Sequence, residues 1–152
     1  MNWMSPRWHG CPSTFDKVLT ILRMKDVVKI GDEKNYRRKV VQEDVAAFHG
    51  EVVHAVCSTF ALARDVEWTT RQFVLDLRDD DEEGIGTHVS IDHKSPAFVG
   101  EEIVFTARVD QLNNNELICS FEAKVESRLI ATGKTGQKIL KREKIRSIFR
   151  EN

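Results

Sequence analysis

Three residue types suited to nucleophilic and proton-transfer chemistry lie in the middle of the 152-residue chain: Thr59, Glu67 and His93. A hydroxyl, a carboxylate and an imidazole can together activate a nucleophile, take up its proton and return it to a leaving group. The first two lie in 57-CSTFALARDVEWTT-70, which reads as the start of a helix. Phe60, Ala63, Glu67, Thr70 and Val74 fall on one line at helical spacing. Four of them suit a buried or half-buried face and Glu67 does not. Either Glu67 does chemistry there, or it sits at the helix edge, reaching solvent or pairing with an arginine.

On an ideal helix, positions 59 and 67 differ by about 80° in azimuth and about 12 Å in height, so a ligand touching both must lie along the helix. Ser58 or Thr59 is a natural N-cap, and the amides of a helix N-terminus stabilise a developing oxyanion. His93 shares a strand face with Val89 and Ile91 in 87-THVSIDHK-94, so it should point toward the helix or an interface. A lone inward histidine is more often a satisfied core residue than a catalyst. Gly84 and Gly86 form an isolated GxG, which fits either a turn or close approach of backbone to ligand.

Metal and cofactor motifs are missing. His9, His49 and His54 show no zinc spacing with one another or with Cys11, Cys57 and Cys119. The run 78-RDDDEEGIG-86 lacks the ligand alternation and distal glutamate of a calcium loop and reads as a solvated acidic loop. There is no GxSxG elbow, P-loop or dinucleotide fingerprint. No metal and no cofactor are expected.

The elements that must position these groups follow from periodicity. Residues 35–42 suit a strand, a short helical turn comes next around 43–48, and His49-Gly50 breaks it. An extended VVHAVC then leads into a helix running to about Leu75 or Leu77, with Arg64, Asp65, Arg71 and Gln72 on its outer side. From 87 to 140 the chain alternates with period two. Ile103, Phe105, Ala107 and Val109 share one face. After the 113-NNN-115 turn, so do Leu117, Cys119, Phe121, Ala123 and Val125. A last strand spans about 129–140. One long helix against about five antiparallel strands is a two-layer α+β domain. A single helix cannot cover such a sheet, so part of it is expected to meet a second copy of the chain.

Composition narrows the function class. At 41% hydrophobic and 31% charged, the chain is that of an ordinary globular domain. Its net charge of -1 gives no global field toward nucleic acid or acidic lipid. An odd number of widely spaced cysteines points to the cytoplasm, and no apolar run approaches the roughly 20 residues that span a bilayer. Residues 1–23, with Trp3 and Trp8 scattered among polar residues, read as an N-terminal extension. Residues 24–140 read as the domain, and 141–152 as a basic tail with the spacing of a short amphipathic helix.

From Met24 to Leu140 the chain resembles the hot-dog-fold thioesterases, in the branch similar to fluoroacetyl-CoA thioesterase. The resemblance is carried by Thr59, Glu67 and His93 at their spacing, by Gly86-Thr87 before the histidine strand, and by Pro96 and Gly100 in HKSPAFVG after it. It implies a hot-dog fold, and a homodimer with active sites between protomers. It further implies a triad in which Thr59 positions or attacks the carbonyl of an acyl-CoA thioester. Glu67 is nucleophile or general base in that triad, His93 transfers a proton, and the Gly86 amide holds the carbonyl oxygen. In the last strand, Gly133-Lys134-Thr135-Gly136-Gln137 places Gln137 at the substrate-facing position where the fluoroacetyl enzymes carry arginine, and Thr135 where they carry histidine. Glu51-Val52-Val53-His54 stands where they carry aromatic lid residues. These departures point to an acyl group other than fluoroacetyl. The alternatives are a hot-dog dimer that binds acyl-CoA without turning it over and, more weakly, a hydratase on the same fold.

Overall fold

The computed structural model describes residues 27–150. The readings made of residues 1–23 and of a domain start at Met24 lie outside the described residues.

Strict alternation builds the sheet as read. In β5 (Glu102–Asn113) and β6 (Glu116–Val125), every second residue is buried: Ile103, Phe105, Ala107 and Val109 on one, Leu117 to Val125 on the other. Asn114 makes the turn between them in the left-handed region, at φ 52°, a conformation asparagine tolerates. With β1 (Glu33–Lys39), β4 (Glu82–His93) and β7 (Arg128–Lys141), these strands form one antiparallel sheet in the order β1-β5-β6-β7-β4. The fold is α+β, with a long helix packed on five antiparallel strands, as expected.

That helix, α1, spans Thr59–Leu77. Ser58 caps it, its hydroxyl accepting the Ala61 N–H at 3.1 Å. Such caps contribute about 1 kcal/mol. Leu62, Val66, Phe73 and Val74 are at most 1% exposed and press on the sheet. Burying side chains of this size contributes about 1.5–3 kcal/mol each. The face is rotated from the stripe read in the sequence. Thr70 and Val74 are buried, but Phe60 is 69% exposed and packs edge-on against Phe48, ring centres 5.9 Å apart. Phe60, Ala63 and Glu67 therefore mark the rim of the helix–sheet contact. Asp65, read as an outer residue, is buried.

Two local expectations are corrected. The helical turn around 43–48 is only a three-residue 3-10 turn, Gln42–Asp44. It leads into β2 (Val45–Phe48), which pairs with β3 (Glu51–Cys57) across His49-Gly50, at φ 51° and 85°. Ala46-Ala47 hid this hairpin, because alanine carries little strand signal. The acidic run is a loop only as far as Asp81. From Glu82 it is already strand, held by Lys141, whose ammonium pairs with Asp81 at 2.8 Å and Glu82 at 3.3 Å. The tail folds as α2 (Arg142–Phe149), with only Ile145 buried. No described helix is long and apolar enough to cross a membrane.

β4 carries two of the residues singled out by spacing, Gly86 and His93. It pairs with β7 on one side and forms the sheet's edge on the other, and residues 86–90 along it are largely exposed.

Candidate active site

Thr59 is the first residue of α1 and His93 the last of β4, and the fold brings them together: Thr59 Oγ1 lies 3.0 Å from His93 Nε2. They stand at the mouth of a cleft of about 380 Å³, walled by Ala46 and Val56 of the hairpin, Leu62 of the helix, and Ala97 and Ile130 behind. The Ala61 and Leu62 amides are engaged by Ser58, leaving those of Thr59 and Phe60 as the free donors of the helix start. His54 and Lys94 also border this cleft and were not singled out in the sequence. Contacts made by a hairpin leave no spacing signal for either residue.

Glu67 occupies a second cleft, of about 420 Å³, with Gly84, Gly86, Gln137, Arg64 and Arg71. Its carboxylate stands over the Gly86 backbone, where a β-carbon would come within 3.0 Å of Glu67 Oε1. The two clefts share no lining residue. Within one chain, then, the structure joins Thr59 to His93 and Glu67 to Gly86 and Gln137, but does not gather all three proposed catalytic groups around one cavity. Gln137 is 6% exposed and its Nε2 donates to Thr70 Oγ1 at 2.9 Å.

Both halves open on the same face of β4, which the numbering forbids for a regular strand. Gly86 and His93 are an odd number of residues apart and should point to opposite faces. A register shift between Gly86 and His88 inserts Thr87 as one extra residue. Gly86 then stands opposite Gln137 and His93 opposite Ala131, both on the buried, helix-side face of β7. A bulge that re-aims side chains is a recurrent device beside functional sites.

A charge network anchors the Thr59 end. Asp44, 2% exposed, receives Arg64 Nη2 at 2.9 Å, the Val41 N–H at 3.1 Å and Arg38 at 3.5 Å, while its carbonyl accepts the Ser58 N–H at 2.8 Å. Burial alone would raise its pKa. The Val41 amide and the two guanidinium groups outweigh burial and hold the carboxyl below its ordinary range. Arg64 also holds Asp65 at 2.9 Å. At the Glu67 end, Arg71 is taken up by Glu83 at 2.9 Å. Cys57, at the base of the first cleft, has its thiol pushed up to about 11 by burial and by Asp44, so it is no thiolate nucleophile. Asp79, Asp81 and Glu82 bring carboxylate oxygens within 4.8 Å of one another but line neither cleft.

Comparison with known proteins agrees with this architecture. Residues 40–143 match the family model FlK, fluoroacetyl-CoA-specific thioesterase. A Thermus thermophilus thioesterase superfamily member is 29% identical, with a TM-score of 0.77, over 80% of this chain and 90% of its own. A hot-dog-like protein from Thermanaerovibrio acidaminovorans is 17% identical, with a TM-score of 0.77, over 84% and 95%. The fluoroacetyl-CoA thioesterase FlK itself is 17% identical, with a TM-score of 0.72, over 82% and 97%. No curated protein sequence matched the chain.

Proposed function

The chain belongs to the fluoroacetyl-CoA-specific thioesterase family, and from that premise we propose that it is a hydrolase that splits a small or medium acyl-CoA thioester into the free acid and CoA. The observation that carries this reading is the Thr59–His93 hydrogen bond at the mouth of an apolar cleft. The cleft takes the acyl group, and the free amides at the start of α1 face the carbonyl oxygen as charge develops on it.

The active unit is a homodimer joined along β4. Gly86 and His93 lie on one face of that strand, about 20 Å apart, since Thr87 is an extra residue and they stand opposite Gln137 and Ala131. If two copies pair antiparallel about a centre at Ser90, with Thr87 again the extra residue, Gly86 of each stands opposite His93 of the other. Each site then combines Thr59 and His93 of one protomer with Glu67 and Gly86 of its partner. Glu67 acts on the reacting carbonyl as base or nucleophile, and His93 protonates the leaving sulfur. No metal or redox group is needed for this hydrolysis.

The test is thiol release from a panel of short and medium acyl-CoAs. Glu67→Gln should lower kcat at least about 100-fold, the lower end of what a general base supplies, while the protein stays folded. Equal rates for variant and parent would remove Glu67 from the mechanism. Saturable acyl-CoA binding without thiol release would favour the non-catalytic alternative, a reading encouraged by Gln137 being engaged with Thr70.

A further inference from the structure

We propose that Gln137 is a further catalytic residue that holds the attacking water together with Glu67, so that the thioester is cleaved by direct water attack and not through an acyl-enzyme. This deepens the thioesterase reading and rests on it. Thr70 sets the orientation of the amide. Its hydroxyl carries one proton, which it donates to the Glu67 carbonyl at 3.2 Å. Toward Gln137 the same oxygen can only accept, and it takes the Nε2 hydrogen at 2.9 Å. The amide of Gln137 is thereby fixed in one orientation, its Oε1 beside Gly84, where a β-carbon would lie 3.5 Å from it. Gln137 Oε1 takes part in no hydrogen bond among the described residues, although the side chain is 94% buried by its 6% exposure.

Two acceptors therefore line one cleft: Glu67 over Gly86, and Gln137 Oε1 beside Gly84. The two glycines are same-face neighbours on β4; Gly86 leaves the floor beneath Glu67 open, while Val74 fills the space beside Gly84. Gly86 stands directly opposite Gln137 in the β4–β7 register, so the acceptors come from neighbouring positions. One water donating two hydrogen bonds of about 2.8 Å bridges acceptors about 4.5 Å apart. With both protons directed, one to Glu67 and one to Gln137, its remaining lone pairs face out of the cleft toward the carbonyl. The water oxygen then bonds to the thioester carbon as Glu67 takes its proton. The intermediate collapses with the C–S bond breaking and the electron pair going to sulfur. The sulfur is protonated by His93 or by the Glu67 carboxylic acid, giving one acid and one thiol per water consumed. Thr70 is a positioning residue in this scheme.

Gln137→Leu removes the acceptor with little change of volume. It should lower kcat at least about tenfold with KM within about twofold of the parent, because the contact is made to water and not to substrate. Thr70→Val, which frees the amide to rotate, should give a smaller loss of the same kind, and serves if Gln137→Leu does not fold. The double variant Glu67→Gln/Gln137→Leu should be no slower than Glu67→Gln alone, since both groups act on one water. Rapid quench during turnover should show no acyl adduct by mass. Parent-like kcat in the folded glutamine variant, or in the threonine variant where the first does not fold, overturns the proposal. So does full additivity in the double variant, or an acyl adduct on Glu67 or Thr59. If the parent releases no thiol from any acyl-CoA, the thioesterase reading itself fails and takes this one with it.

Discussion

Asp44→Ala tests the network that anchors the Thr59 end. The carboxylate is 2% exposed and receives two guanidinium groups and the Val41 amide. Hydrogen bonds to a charged group are worth about 1.5–3 kcal/mol each. Arg64 is 51% exposed at its side chain and keeps Asp65, so it rehydrates readily, whereas Arg38 at 35% does so less well. The loss should therefore fall below the sum, at about 2–4 kcal/mol, under or near the low end for breaking a fully buried pair. For a chain of this length that lowers Tm by about 5–15 °C. Urea unfolding and thermal melting of parent and variant measure it. Asp44→Asn, which keeps the volume and an acceptor for Val41, should lose less. Because the folded carboxyl titrates below its unfolded value of about 3.9, its stabilisation is complete above that pH and is lost as pH falls through the folded pKa. The gap between parent and variant should accordingly narrow below about pH 4. A difference under about 0.5 kcal/mol at pH 7, or a gap that widens in acid, would refute the reasoning.

Two further outcomes concern β4. Gly133→Ala sets a β-carbon 1.9 Å from the Ser90 carbonyl oxygen and 2.8 Å from the Phe121 ring, so it should destabilise by at least about 1–3 kcal/mol in the same unfolding assay. Val89→Lys, at a residue 43% exposed in the middle of the edge strand, should convert the proposed dimer to monomer in analytical ultracentrifugation and abolish thiol release. A dimer that survives the lysine would place the interface elsewhere.

Much of this fold was legible because β6 alternates along its whole length and β5 as far as Val109. Leu117, Cys119, Phe121, Ala123 and Val125 alternate in the sequence and are all buried. The helix and its Ser58 cap were legible for a related reason: capping chemistry is local. What failed was tertiary in origin. Asp65 reads as a surface residue until Arg64 and Asp44 are folded against it, and β2 has too little strand character to announce itself. The site was half legible. The family resemblance named Thr59, Glu67, His93, Gly86 and Gln137, and the structure puts each on a cleft wall. No spacing rule carries the extra residue at Thr87 that turns Gly86 and His93 to the same side.

The bare flank of β4 has a consequence for the life of the molecule. Twelve residues of strand end on one side in amide and carbonyl groups that the sheet does not use. Under the proposed pairing a second copy supplies the missing ladder, so the resilience of each molecule is tied to how many others surround it. Dilution would then loosen the fold as well as silence it, and a crowded, half-folded population would offer the same flank to the wrong neighbour.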